Sequence, residues 1–378
     1  MRDKKKIAIV YPYFRAGGGE SVTAWVIEAL KSEGDVFLFT CDKINVDILN
    51  KIYGVNLSPE DVKIINPPFS SLFSIIPGVG LLKYHFLIKH FKHQKEKFDI
   101  VIGTYKETDF GKKGIQYVHF PELKHDLQNL GFFSKIYYKY SFIKNLYKNL
   151  CYFISGFNED RMRKNITLTN SNWTREMIKK NMEMDNIVLY PPVLDDFIDT
   201  PWEERKDDFI CISRISPEKR IKLIIEIIKA VRDKGYSIGL HIIGSVGDKS
   251  YFKEIKKIQK ENNWIKISGF MDRKSFVSIV SSYKYGIHGR KDEHFGISVA
   301  EMVKAGCIVF VPNDGGQIEI IGNKDLIFSE RKDAVEKIIR ILADKKFQLE
   351  KRNNLLLTRQ KFSIENFKKN IREVIKKL

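Results

Sequence analysis

Short runs of apolar, largely β-branched residues recur along the chain, with helical spacing between most of them. In the first half the runs are Ile7–Tyr11, Val36–Thr40, Ile100–Thr104, Ile115–Val118, Ile166–Thr169 and Ile187–Leu189. In the second half they are Phe209–Ser213, Ile238–Ile243, Ile265–Ser268, Tyr285–His288 and Ile308–Val311. The runs are nearly continuous in apolar residues, which is the pattern of strands covered on both faces. Glu218–Asp233 and Ser298–Lys304 carry helical spacing. Strand–helix alternation of this kind predicts an α/β protein with parallel sheets. A stretch rich in proline and charge, from Tyr190-Pro-Pro to Trp202-Glu-Glu-Arg-Lys-Asp-Asp, breaks the pattern. Two Rossmann-like halves follow, residues 1–200 and 208–356, with a basic helical stretch at 357–378. Ligands in such sheets bind outside the carboxyl ends of the strands.

With 378 residues, each half is long enough to bury a core of its own. A hydrophobic fraction of 43% against 30% charged residues excludes a disordered chain. The formal net charge of +18 predicts attraction to nucleotides, phosphates, nucleic acid or an acidic membrane face. Cys41, Cys151, Cys211 and Cys307 are far apart, so no zinc spacing is present and a reducing compartment is expected. The first apolar run is too short for a signal-peptide core. Ile64–Leu82 has no charge, but three prolines and two glycines make it a loop or a surface-dipping segment rather than a spanning helix.

The first strand-to-helix turn reads Tyr11-Pro-Tyr-Phe-Arg-Ala-Gly-Gly18-Gly19-Glu20. Glycines let backbone approach a ligand, and the helix behind them offers free N–H groups. The pattern is neither Gly-x-Gly-x-x-Gly nor a phosphate loop ending in Gly-Lys-Ser/Thr, and an ordinary tight turn would look the same. His119 follows a strand and is placed to hydrogen-bond a hydroxyl, or simply to sit in a loop. Arg214 and Lys219 bracket the start of a helix near Pro217, a combination that suits a diphosphate. A solvated charge cluster is the plainer alternative. Glu293 and Glu301 stand eight residues apart, with Phe295-Gly296 between them. Carboxylates accept from two O–H donors and so suit vicinal hydroxyls. Asn313-Asp-Gly-Gly-Gln-Ile makes a second glycine turn suited to phosphate or sugar.

Glu293-His-Phe-Gly-Ile-Ser-Val-Ala-Glu301 resembles the Glu-x7-Glu signature of the large retaining glycosyltransferase family that includes sucrose synthases, bacterial mannosyltransferases and lipopolysaccharide enzymes. Arg214 and Lys219 resemble its diphosphate clamp. Tyr117-Val-His119-Phe-Pro, Lys135-Ile-Tyr-Tyr, Thr169-Asn-Ser-Asn-Trp-Thr174, Tyr190-Pro-Pro and Ser216-Pro-Glu-Lys219 are similar to the eukaryotic α-1,2-mannosyltransferases that extend the dolichol-linked oligosaccharide from GDP-mannose. Those enzymes carry Ser-Gly-Gly-Pro where this chain has Asn313-Asp-Gly-Gly-Gln-Ile. They also have an N-terminal membrane-spanning helix that is not seen here.

The resemblance implies a GT-B fold: two Rossmann-like domains facing across a cleft, with the C-terminal helix crossing back to the first. It implies hexose transfer, with mannose the expected sugar and retention at the anomeric carbon. The donor would be GDP-mannose or a UDP-hexose, and the acceptor a lipid-linked or cell-surface glycan. Arg214 and Lys219 would bind the diphosphate and Glu301 the ribose. Glu293 and the Phe295 and Gly296 amides would bind the transferred sugar. His119 would reach the reacting carbon, and Gly18 and Gly19 would approach the phosphates. No Asp-x-Asp occurs, so neither a metal nor a cofactor is expected. Lys135, Lys139, Lys144 and Lys148 lie among aromatics, and Lys83–Lys97 adds a second basic run. Both suit the anionic cytoplasmic face of a membrane, with a mixed, partly buried helix pair as the alternative. Nucleic-acid binding or non-catalytic sugar-nucleotide binding stays open. The dispersed charge disfavours the first of these, and the intact Glu293, Glu301, Arg214 and Lys219 set disfavours the second.

Overall fold

The computed structural model describes residues 4–14, 17–68, 80–121 and 141–378. It divides into two compact units, Met1–Pro192 with Ile364–Leu378, and Val193–Ser363.

In the first unit β1 (Lys5–Val10), β2 (Gly34–Phe39), β3 (Val62–Ile65), β4 (Ile100–Gly103), β5 (Ile115–Val118), β6 (Ile166–Thr169) and β7 (Ile187–Val188) form one sheet. Its order is β3-β2-β1-β4-β5-β6-β7. All pairings are parallel, with Ile7 opposite Val36 on one side and Ile100 on the other. Ile7, Ala8 and Ile9 are completely buried, as their unbroken apolar run requires. The helix Ile364–Ile375 packs on the helix Gly18–Leu30 within this unit. Lys368 pairs with Glu28 at 3.3 Å, and Arg372 Nε donates to the Ala29 carbonyl at 2.9 Å.

The second unit contains β8 (Lys206–Ile212), β9 (Leu240–Ile243), β10 (Ile265–Ser268), β11 (Tyr283–Ile287), β12 (Ile308–Pro312) and β13 (Ile327–Phe328), ordered β10-β9-β8-β11-β12-β13. Numbered from its own first strand, that order is 3-2-1-4-5-6, the doubly wound arrangement. In both sheets the strand order reverses beside the first strand, between β1 and β4 and between β8 and β11. Ligand crevices open at such points.

The unit boundary falls earlier than the proline- and charge-rich stretch implied, because residues 193–200 are tied to the second unit. Val193 N–H donates to the Phe362 carbonyl (3.0 Å), Lys304 Nζ to the Val193 carbonyl (2.8 Å), and Ile198 N–H to Ser281 Oγ (3.0 Å). The returning C-terminal segment begins at Ile364 rather than 357, since Phe362 is buried in the second unit. Two strands escaped the sequence reading. β13 is two residues long, and β3 ends inside the uncharged stretch read as a loop. Residues 69–79 of that stretch lie outside the described residues. Its far end begins the helix Gly80–Lys92.

Candidate functional site

In the first unit the turn after β1 leads into the helix Gly18–Leu30, whose N-cap is Gly17. Thr23 Oγ1 donates to the Gly19 carbonyl (2.9 Å) and shares a 2.7 Å hydrogen bond with Thr104 Oγ1 at the end of β4. The Thr104 carbonyl, 3.0 Å from His119 Nε2, can only accept. His119 Nε2 therefore carries the proton, and Nδ1 is left as an acceptor. Burial pushes the His119 pKa down to about 4, against the opposing Thr104 hydrogen bond, so the ring is neutral. Asn170 Nδ2 donates to the His119 carbonyl at 3.1 Å, and Ser171 caps the helix Asn172–Met182. The Thr169–Thr174 motif thus anchors the His119 backbone. A Cβ on Gly19 would lie 2.8 Å from Tyr11 Oη and 3.3 Å from His119 Nε2. Gly19 and His119 are therefore brought together, and a side chain at Gly19 would crowd the Tyr11 hydroxyl first and the histidine ring second.

In the second unit the segment after β8 is a 3-10 turn, Pro217–Lys219, and the α-helix starts only at Ile221. Arg220 stands between them with φ 53°, in the left-handed region. The expected helix from Glu218 is broken there, and Lys219 leaves the turn free of the helix axis. Lys219 Nζ donates to Glu293 Oε2 at 2.6 Å, with both side chains about 15% exposed (14% and 16%). Arg214 is the more open cation, 59% exposed and 3.5 Å from Glu218.

Glu293 lies in the loop between β11 and the helix Ile297–Lys304, outside any helix. Its carboxyl is held at about 2. Burial opposes this shift, and the charges of Lys219, His288 and Arg290 outweigh burial. The Asn313–Gln317 turn closes on the Glu293 backbone: Gly316 N–H donates to the Glu293 carbonyl at 2.7 Å. Gly315 has φ +81°, and a Cβ there would lie 2.4 Å from the Glu293 carbonyl oxygen. This second glycine turn therefore admits the Glu293 main chain. Phe295 is buried against Phe362, so its ring belongs to the core, and Gly296 (φ 101°) caps the helix that carries Glu301.

Three more residues stand around this cluster; two of them, His288 and Arg273, were missed by sequence reasoning, and Gln317 lies in the second glycine turn. His288 ends the run at β11 and is 1% exposed, with Nε2 3.6 Å from Glu293 Oε2. Among the described residues neither His288 ring nitrogen has a hydrogen-bond partner, and neither does the buried Gln317 Oε1. Burial lowers the His288 pKa to about 4. The third is Arg273, at the start of the helix Arg273–Ser281, whose Nη1 donates to Glu301 Oε1 at 2.6 Å. Only the strand-end position of His288 was a usable signal. Arg273 is 28 residues from Glu301 in sequence, and no spacing rule joins them.

Among the described residues, no three His, Cys, Asp or Glu side chains gather in a metal-holding group, and no helix is long and apolar enough to cross a membrane. The basic run Lys83–Lys97 is largely consumed internally. Lys83 pairs with Asp42 (3.1 Å), Lys92 with the buried Asp109 (2.7 Å), and Lys95 donates to the Gly111 carbonyl. Lys89 and Lys97 of the same run are exposed. Lys135 and Lys139 lie outside the described residues, as does the side chain of Lys144.

The segment that holds Arg214, Lys219, Glu293, Gly296 and Glu301 matches the family of glycosyl transferases group 1 over residues 194–362. Residues 194–362 are a group 1 glycosyltransferase domain. The fold of the whole chain is GT-B. It is shared with Anabaena HepE, whose structure holds UDP and glucose, at TM-score 0.72 and 14% identity over 99% of this chain and 100% of that one. The chain is also similar to GDP-Man:Man(3)GlcNAc(2)-PP-Dol alpha-1,2-mannosyltransferase of Mus musculus, at 24% identity over 97% of this chain and 85% of that one. With the Homo sapiens protein of the same name it shares 25% identity over 69% of this chain, and the match spans 60% of that relative. In the glycosyltransferase domain, Lys219 and Glu293 meet at the point where the strand order of its sheet reverses.

Proposed function

We propose that the chain transfers a hexose, mannose from GDP-mannose in the first instance, to a hydroxyl of a lipid-linked or cell-surface glycan, with retention at the anomeric carbon. The observation that carries this reading is the 2.6 Å contact between Lys219 and Glu293, 74 residues apart in sequence, at the carboxyl ends of adjacent strands β8 and β11. A cation and an ionised carboxylate are held side by side there, and a nucleotide diphosphate sugar presents a diphosphate next to an anomeric carbon. Arg214 and Lys219 take the diphosphate charge as the sugar leaves, which is electrostatic stabilisation by preorganised groups. Glu293 faces the positive charge that develops on the sugar. Glu301 binds the ribose hydroxyls. The Phe295 and Gly296 backbone lies against the sugar. Neutral His119, with Nδ1 as acceptor beside the Gly18-Gly19 turn, takes a sugar hydroxyl.

Retention follows a front-face path, the leaving diphosphate and the incoming hydroxyl sharing one side of the sugar. The cations do the work of a metal, so transfer proceeds without one. The GDP-mannose and lipid-linked acceptor are supported by the mouse relative's name, and a UDP-hexose donor by the ligands of HepE.

Membrane attachment is peripheral and on the cytoplasmic face. Its support is the helix Ser141–Ser155, which exposes Leu146, Leu150 and Phe153 (60%, 52% and 84%) at i, i+4 and i+7, a single apolar stripe.

The test is a panel of nucleotide sugars with extracted lipid acceptor, run with and without chelator, the product anomer being read by NMR. The expected result is an α-linked product from GDP-mannose, formed equally with chelator. An inverted anomer refutes the front-face path. A strict Mn²⁺ or Mg²⁺ requirement refutes the cation role, and turnover of no nucleotide sugar refutes the reading as a whole.

A further inference from the structure

Glu301 does not stand alone in its half of the site. Its side chain is 17% exposed, and one carboxylate oxygen, Oε1, is taken by Arg273 Nη1 at 2.6 Å. Arg273 is itself fixed from other directions. Its Nε and Nη2 form a two-pronged contact with Asp196 at 2.9 and 2.6 Å. The guanidinium lies over the rings of Phe197 and Phe276, 5.0 and 5.2 Å from their centroids. Asp272 caps the helix that begins at Arg273, accepting from Ser275 N–H at 3.0 Å. The planar fork is therefore placed without help from Glu301, and Glu301 docks against a fixed cation.

We propose that Arg273 is a positioning residue for donor binding: it holds Glu301 by Oε1, so that Oε2 is presented as the acceptor for the vicinal ribose hydroxyls of a nucleoside diphosphate sugar. The inference rests on the reading of Glu301 given above. The charged groups that face Glu301 are Arg273 and, beyond it, Asp196. Burial raises the Glu301 pKa, Arg273 opposes the rise, and Asp196 adds to it. Without Arg273 the carboxyl takes up a proton more readily and loses capacity to accept from two hydroxyls. A residue that acted on stability alone would leave the pH dependence of donor binding untouched.

The test measures GDP and UDP binding by calorimetry between pH 6 and 8.5, with donor KM and kcat alongside. Arg273→Met should weaken nucleotide binding about tenfold or more at pH 6, in line with a lost charge-assisted contact. The deficit should narrow as the pH rises and Glu301 ionises. Donor KM should rise while kcat stays within about threefold. Arg273→Lys should restore most of the binding. On a Glu301→Gln background, Arg273→Met should add less than about twofold. Asp196→Asn, which only loosens the fork, gives a smaller loss of the same pH form and serves if Arg273→Met does not fold. Wild-type binding by Arg273→Met, or by Asp196→Asn where Arg273→Met does not fold, together with a loss in Glu301→Gln overturns this inference alone. So does an equal Arg273→Met loss on the Glu301→Gln background, or a deficit that does not vary with pH. Unchanged GDP and UDP binding by Glu301→Gln overturns the ribose reading itself.

Discussion

Lys219 Nζ and Glu293 Oε2 sit 2.6 Å apart, so two residues given separate duties toward the donor form one unit before the donor arrives. In the proposed site, a bound donor would share Lys219 between its diphosphate and the carboxylate. Glu293 keeps Arg290 as a nearby cation, while His288, neutral above about 4, favours its ionised form only in acid. Residues coupled in this way do not contribute additively. Lys219→Met and Glu293→Gln should each lower kcat/KM by about a hundredfold, near 3 kcal/mol. The double variant should fall far short of the product of the two losses. Strict additivity in the double-mutant cycle would separate the roles. Arg214→Ala, which removes a more exposed cation, should cost nearer tenfold.

The two glutamates should differ in kind. On the proposed roles, Glu293→Gln would remove charge beside the reacting carbon and should lower kcat first. Glu301→Gln would remove a contact to a part of the donor that does not react, so it should raise donor KM more than it lowers kcat. Steady-state kinetics that show the reverse split would exchange the two assignments.

Acid should weaken the fold in two stages. His85, His119, His241 and His288 all titrate well below the ordinary histidine value because they are buried. A depressed histidine pKa means the unfolded chain takes up protons first, so stability is lost as the pH falls from about 6.5 towards 4, and for His85 towards 3. Glu293 is also depressed, from 4.5 to about 2, so its contribution is present above 4.5 and is lost as the pH falls through 2. Urea titrations of the wild type and of Glu293→Gln should coincide in their pH slope above 5 and diverge below 4.5. Identical slopes throughout would show that the Glu293 shift is not a property of the folded state.

Gly315→Ala should damage the site from outside it. The residue has φ +81°, and the added Cβ would meet the Glu293 main chain, which has no flexible end to move aside. A loss of about 1–3 kcal/mol in stability is expected, with kcat reduced because Glu293 is displaced. Wild-type activity in Gly315→Ala would mean that this turn does not set the Glu293 position.

The apolar stripe of the helix Ser141–Ser155 should carry membrane attachment. Leu146→Ser, Leu150→Ser and Phe153→Ser together should reduce binding to anionic vesicles while transfer to a soluble glycan acceptor is kept. Lys148→Glu should do so more weakly, because Lys148 lies over the Tyr152 ring at 5.3 Å. Unchanged vesicle binding by the triple variant would assign the stripe to another partner.

The class of fold and all strands but β3 and β13 are legible in local pattern alone. Unbroken apolar runs such as Ile7–Val10 and Ile308–Val311 can be satisfied only by burial on both faces, and that condition is local. The same pattern also placed Arg214, Lys219, His119 and Glu293 just beyond strand ends or at a helix start, and Glu301 inside the following helix, because glycines and the change from period 2 to 3.6 mark those points. Which of them touch is set by strand order and helix packing. Strand order brings β8 beside β11 and so joins Lys219 to Glu293, while the Arg273–Glu301 contact joins helices with no shared pattern. The glycine turn at 313–317 is legible locally, but the main chain that Gly315 must admit, that of Glu293, is not. Charge count was the weakest guide. Lys83 and Lys92 add to the +18 total, yet each is paired with an aspartate, and long-range pairing leaves no trace in composition.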